Sequence, residues 1–259
     1  MCIRMAIKNL QHFTQQMFDV MQRHAALDSR DHILFADNQL TYLLRYPQLF
    51  DVAVRSLSPQ SATVDVASFG CSYGHDCVSV ALFLERELKK RNWDYRITGF
   101  DRVTKGLDAA RSGIIPHQVQ PPVLENWMSI PRDYAKKISV QQRLPFAKLL
   151  TETKTGYTLK PRLMQRLDFE EMDFTVQTPM QTYDFVIAAN VAQYLTNEQQ
   201  RLFAFKTIDC LRIGGLMIAP TSDEEGLDFQ RALKSQLMPL GANGKPDPQS
   251  KLPLYKRTF

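Results

Sequence analysis

Cysteine is scarce in this chain of 259 residues, and its placement is uninformative about cross-linking. Cys2, Cys71, Cys77 and Cys210 form no CxxC pair, so neither a disulfide framework nor a zinc site is indicated. The five histidines show no HExxH spacing, and no metal is expected. No apolar run reaches the ~18 residues of a membrane-spanning helix, and no secretory signal is evident; a cytoplasmic protein is the expectation. Excess charge is modest, +5 from 32 basic and 27 acidic residues. The basic residues gather in Arg86 to Arg91, Lys160 to Arg162 and the terminal YKR, a pattern of solvated surface, so no nucleic-acid partner is expected. No internal repeat or low-complexity segment stands out. The chain also lacks GxxxxGK[ST], which disfavours a nucleoside triphosphate, and GxGxxG, which disfavours a dinucleotide.

What is present centres on VDVASFGCSYGHD, Val64 to Asp76. An apolar, strand-like segment breaks at Gly70 and Gly74, and a helical pattern follows. Both glycines can take positive φ, so backbone N–H groups can approach a ligand at the start of the next helix. With Ser72 inside the turn and His75 after it, the spacing suits a nucleoside ligand without a pyrophosphate. The segment Tyr95 to Asp101 reads as a second buried strand ending in a carboxylate, placed to accept from ribose hydroxyls or, alternatively, to cap a helix near Thr104. Further on, Tyr183 to Asn190 reads as another strand, a helix follows, and Gly214 and Gly215 read as the helix C-terminal turn leading into LMIAP. Strand and helix thus alternate from about Val64 to Pro220, which predicts an α/β fold with a mostly parallel, doubly wound sheet. The ligand crevice of such a sheet lies outside the carboxyl ends of its strands, where Gly70, Asp101 and Asn190 fall.

Three segments, GCSYGHDCVSVALFL, GFDRVTKGLDAARSGIIP and FVIAANVAQYLTNEQQRLF, resemble the CheR family of chemotaxis methyltransferases, enzymes that use S-adenosylmethionine to methylate glutamate side chains of receptors. The likeness spans roughly residues 38 to 259 and is most distinctive in Ala110 to Pro116 and in Asn190 to Tyr194. It implies a Rossmann-like class I methyltransferase fold with a C-terminal antiparallel hairpin. It also implies that Gly70, Ser72, Gly74, Asp76, Asp101 and Asn190 surround the cofactor, with Asp101 on the ribose. Asp168 and Phe169 stand where the family has an Asn-Leu pair at the adenine. TYLLRYPQLF resembles the T-x-F-F-R element before the catalytic domain, which implies that Arg45 and Tyr194 are the active-site arginine and tyrosine. A carboxylate acceptor, in a protein or a small molecule, is ionised near neutral pH and needs placement rather than a base. Arg45 would then orient that acceptor through a bidentate contact, and Tyr194 would position the acceptor or the departing sulfur.

Several positions depart from the family pattern. Ala188-Ala189-Asn190 replaces Cys-Arg-Asn, Pro220 to Asp223 replaces Gly-His-Ser-Glu, and His75-Asp76 replaces paired glutamates. With only 40 residues ahead of Thr41, most of the family's N-terminal helical domain is expected to be missing. Residues 1–40 read as an amphipathic helix and linker, with Ile3, Ile7, Leu10, Phe13, Met17, Phe18 and Met21 near a 3.6-residue period, and 41–259 as the methyltransferase domain. Within it, 117–167 read as an inserted subdomain carrying Trp127, Tyr134, Phe146 and Tyr157, and LPLYKRTF as a final edge strand. At 44% hydrophobic residues the chain can bury one substantial core. The sequence leaves two functions open: a carboxylate O-methyltransferase, or a cofactor-binding regulatory module that has lost catalysis.

Overall fold

A computed structural model describes residues 41–119, 133–174, 176–221 and 226–258. All belong to one compact unit, Gln39–Phe259. The helix expected within residues 1–40, Trp127 and Asp223 lie outside the described residues.

The centre of the unit is a seven-stranded sheet. Its strands, in chain order, are β2 (Thr63–Phe69), β3 (Asp94–Asp101), β8 (Leu167–Glu171), β9 (Tyr183–Ile187), β10 (Leu211–Ile218), β11 (Met238–Pro239) and β12 (Leu254–Lys256). In space the order is β11-β12-β10-β9-β2-β3-β8. Five neighbours from β8 to β10 run parallel, while β12 is antiparallel to both β10 and β11. Order reverses between β2 and β9, so the strand ends diverge there and open a crevice at their carboxyl termini.

Near-continuous apolar strands follow from burial on both faces. Along β9, Phe185 and Ile187 join one core, with Val64, Val66 and Ile97, whereas Val186 joins the other, with Ala67, Phe69 and Phe100. The two-residue period of a strand divides the side chains this way. The first core is covered by α1 (Pro47–Ser56) and α2 (His75–Arg91), the second by α7 (Asn197–Asp209) and α8 (Leu227–Gln236). Helix α7 begins in a full capping box, Thr196 accepting from the Gln199 N–H while the Gln199 side chain accepts from the Thr196 N–H.

Between β3 and β8 lie α3 (Thr104–Arg111), β4 (Ile114–Pro116), β5 (Gln118–Val119), α4 (Tyr134–Gln141), α5 (Phe146–Leu149), β6 (Leu150–Glu152), β7 (Gly156–Leu159) and α6 (Pro161–Met164). Strands β4, β7 and β6 form a separate antiparallel sheet, which begins ahead of the boundary expected at residue 117. The first strand, β1 (Thr41–Tyr42), pairs with β5, so this subdomain holds the segment that carries Arg45.

Three expectations are corrected. Gly214 has φ 82 but lies within β10, where the register with β9 shifts between Leu211 and Leu216; α7 ends before it at Cys210, which is right-handed. The glycine pair therefore makes a strand bulge rather than a helix terminus. And β12 is not an edge strand, because the short β11 pairs along its outer side. Nor does Asp101 act as the N-cap of α3: that position is Val103, and no side chain caps the helix.

Candidate active site

The turn after β2 is built by three left-handed positions at alternate residues, Gly70 (φ 66), Ser72 (φ 52) and Gly74 (φ 79). Its backbone is tied to the end of β3. The Cys71 N–H donates to the Phe100 carbonyl at 2.9 Å, and the Ser72 N–H donates to Asp101 Oδ2 at 2.7 Å. Asp101 Oδ1 accepts from the Val103 N–H at 2.9 Å. Burial raises the Asp101 pKa, against the backbone N–H groups that favour its charge. Each carboxylate oxygen retains acceptor capacity for a hydroxyl donor. The turn leaves no room for added atoms: a Cβ on Gly70 would lie 2.4 Å from Val191 Cγ2, and one on Gly106 of α3 would lie 2.8 Å from the Ser72 carbonyl oxygen.

Arg45 reaches the same turn from the β1–α1 connection. Its Nε donates to Asp76 Oδ1 at 3.2 Å and its Nη2 to Asp76 Oδ2 at 2.5 Å, with both side chains buried. Burial disfavours the Arg45 charge, but the Asp76 carboxylate more than offsets it, so the pKa lies above the ordinary arginine value. The bidentate contact expected toward an acceptor is thus made to Asp76, because a buried carboxylate without a partner is costly. The connection is fixed by its backbone as well. Leu44, fully buried at φ 62, donates its N–H to Ser79 Oγ at 2.8 Å, and its carbonyl accepts from the Tyr134 hydroxyl at 3.2 Å.

Asn190 lies just past β9, also left-handed at φ 57, and its N–H donates to the Pro220 carbonyl at 2.8 Å. Its Nδ2 donates to the Tyr46 hydroxyl at 2.6 Å, and the Tyr46 ring packs against the Arg45 guanidinium at 5.0 Å. Tyr194 follows in a 3-10 turn, Ala192–Tyr194, half-buried, its N–H donating to the Val191 carbonyl. Gly70, Ser72, Gly74, Asp76, Asp101, Arg45 and Asn190 are therefore joined through α2, β3 and the two connections. Asp168 stays apart: it is exposed on the outermost strand, accepting from the Phe169 N–H at 2.9 Å. Phe169 is buried beneath the turn, its ring 3.0 Å from where a Gly74 Cβ would stand, with Arg111 Nε and Nη2 donating to its carbonyl.

Two residues here carried no assigned chemistry in the sequence. Tyr46 follows Arg45 directly, a place where periodicity predicts only packing. His75, the first residue of α2, is fully buried with Nε2 against the Pro116 carbonyl at 2.8 Å and no partner for Nδ1. Burial lowers its pKa to about 4 despite the Pro116 and Asp76 contacts that favour the proton. No group of three or more His, Cys, Asp or Glu side chains suited to a metal occurs among the described residues, and no described helix is long and apolar enough to cross a membrane.

The model of the CheR methyltransferase SAM-binding domain matches residues 39–235. The chain belongs to the CheR methyltransferase family. Its strand order, with one antiparallel strand inserted beside β10, is that of a Rossmann-like class I methyltransferase, and S-adenosylmethionine is the cofactor of the CheR methyltransferase domain. The glycine-cradled turn and the Asp101 carboxylate fit such a ligand. A search of curated proteins finds no match. Among solved structures, SAM-bound CalS10, an amino pentose methyltransferase from Micromonospora echinaspora, is 13% identical with a TM-score of 0.38 over 66% of this chain; the match spans about half of that protein, 48%. The N-methyltransferase NodS from Bradyrhizobium japonicum WM9, in complex with S-adenosylhomocysteine, is 13% identical with a TM-score of 0.41, over 77% of this chain and 81% of NodS. StiE O-MT is 14% identical with a TM-score of 0.41, over 80% of this chain and 58% of its own.

Proposed function

We propose that this methyltransferase transfers its methyl group to a carboxylate oxygen, of a protein glutamate or of a small molecule. The observation that supports the reading is that no carboxylate or imidazole at the turn is poised to take a proton from an acceptor. Asp76 is bound by Arg45, Asp101 by two backbone N–H groups, and His75 gives Nε2 to Pro116 and resists protonation. A hydroxyl or ammonium acceptor would have to lose a proton to a base, whereas a carboxylate arrives ionised and needs only in-line placement.

Bound S-adenosylmethionine supplies an electrophilic methyl group with a neutral thioether as leaving group. In this reading Gly70, Ser72 and Gly74 line the cofactor turn, Asp101 accepts from the ribose hydroxyls, and Asp76 and Asn190 border the methionine part. Asp168 and Phe169 stand on the adenine side, Phe169 as the floor that supports Gly74. Arg45 holds Asp76 in place and adds positive potential where the acceptor carboxylate arrives, and Tyr194 positions the acceptor or the departing sulfur through its hydroxyl and ring. Residues 41–259 act as the catalytic domain, within which 117–167 shape the acceptor side.

The test is transfer of isotope-labelled methyl from S-adenosylmethionine to acceptor preparations, followed by alkali. A carboxyl methyl ester releases volatile labelled methanol; label stable to alkali would reject the carboxylate reading. Arg45→Ala and Tyr194→Phe are expected to lower transfer about a hundredfold, the scale of lost positioning, with much smaller effects on cofactor affinity. Undiminished turnover in both variants would remove these roles.

A further inference from the structure

Tyr46 is a polar side chain of the site with an unspent proton. A phenol offers one donor and two acceptor lone pairs. One lone pair takes the Asn190 Nδ2–H at 2.6 Å, and among the described residues no acceptor takes the Tyr46 proton. The ring is fixed by stacking on Arg45 at 5.0 Å, and Asn190 is fixed through its N–H to Pro220, so the hydroxyl is held between two anchored partners. Both partners stand at carboxyl ends of the sheet or on the connection that reaches them, the edge of the ligand crevice. Burial raises the Tyr46 pKa, against Arg45 and Asn190, so the donor proton is retained at neutral pH.

We propose that the Tyr46 hydroxyl donates a hydrogen bond to a ligand carboxylate in this crevice, fixed for that purpose by Asn190 and Arg45. The inference rests on the methyltransferase reading above. Two carboxylates meet in such a reaction, that of the cofactor's methionine part and that of the acceptor, and the chemistry recognised is the same for both. The Arg45 fork is turned to Asp76, so a neutral donor beside it supplies a directional contact that the guanidinium does not make through those two nitrogens. Ala189, small and buried, adds no polar group on the β9 side.

Calorimetry on the full chain and on Tyr46→Phe, which keeps the ring stack, separates the sources. Three probes are used: S-adenosylhomocysteine, 5′-methylthioadenosine, which lacks the amino-acid part, and N-acetyl-L-glutamate amide titrated into protein saturated with S-adenosylhomocysteine. Loss of a hydrogen bond to a charged group is expected to weaken the affected carboxylate ligand by about tenfold or more. If the cofactor carboxylate is the partner, S-adenosylhomocysteine weakens and methylthioadenosine does not. If the acceptor carboxylate is the partner, only the glutamate derivative weakens. Unchanged affinity for all three, or equal loss for S-adenosylhomocysteine and methylthioadenosine, would overturn the proposal without overturning the methyltransferase reading. Failure of the folded wild type to bind S-adenosylhomocysteine would instead overturn the methyltransferase reading, and this one with it. Asn190→Ala, which frees the hydroxyl without removing it, is expected to produce the same pattern with a smaller loss.

Discussion

At the scale of single residues, the Arg45–Asp76 pair ties the β1–α1 connection to the start of α2, just after the glycine turn. Two charges with side chains 8% and 4% exposed hold each other, so removing one leaves the other buried and unpaired. Arg45→Ala is expected to cost about 3–5 kcal/mol in urea unfolding, the range for breaking a buried pair. Asp76→Ala is expected to cost a similar amount, and the double variant clearly less than their sum, because it strands neither charge. Additive losses would show that the two side chains do not depend on one another. The partners are 31 positions apart, and Tyr46 and Asn190 are 144 apart. No local pattern announces such contacts, so the sequence could present Arg45, Asp76 and Asn190 as candidates without revealing which of them touch. Resemblance to a family supplied Arg45, but its engagement with Asp76 depends on burial that only the fold creates.

At the scale of elements, the turn after β2 was legible because its constraints are local. Gly70 and Gly74 follow an apolar run and precede a helix, and both are left-handed in the structure. The Gly214-Gly215 pair gave the same signal with a different outcome, since a positive φ is required equally by a helix terminus and by a strand bulge, and the choice was made by pairing with β9. Gly74→Ala tests how strongly the first turn demands glycine. At φ 79 an L residue costs roughly 1–2 kcal/mol, and the new methyl would stand 3.0 Å from the Phe169 ring. The variant is expected to lose about 2 kcal/mol or more in chemical denaturation, with weaker S-adenosylhomocysteine binding because the Ser72 N–H shifts from Asp101. Stability and affinity equal to wild type would show that the turn tolerates a side chain and that its glycines are incidental.

At the scale of the whole molecule, the inserted subdomain and the central sheet meet through His75, the first residue of α2, whose Nε2 binds Pro116 of β4. Periodicity makes the sheet and its helices readable, while short strands broken with proline obscure the small antiparallel sheet, and β12 reads as an edge in the sequence because the two-residue β11 is too short to carry a pattern. His75 makes stability depend on pH. The folded protein holds this side chain at about 4, chiefly because burial disfavours its charge, with Arg45 adding to that effect and Asp76 opposing it. An unfolded chain protonates the same histidine near its ordinary ~6.5. Above that pH neither state carries the proton, and His75 imposes no pH dependence. As pH falls from ~6.5 to about 4, the unfolded chain gains a proton that the folded one refuses, so stability declines progressively, by about 3 kcal/mol across the window. Below about 4 both states are protonated and the decline from this residue stops. Urea unfolding of wild type and His75→Gln at intervals between pH 7.5 and 4.5 isolates the contribution of His75, because the remaining titratable groups contribute alike to both proteins. The expected result is a difference that narrows with acid, the glutamine variant starting less stable at neutral pH and losing less on the way down. Parallel curves would mean that His75 takes up its proton equally in folded and unfolded chains, and so that burial does not lower its pKa.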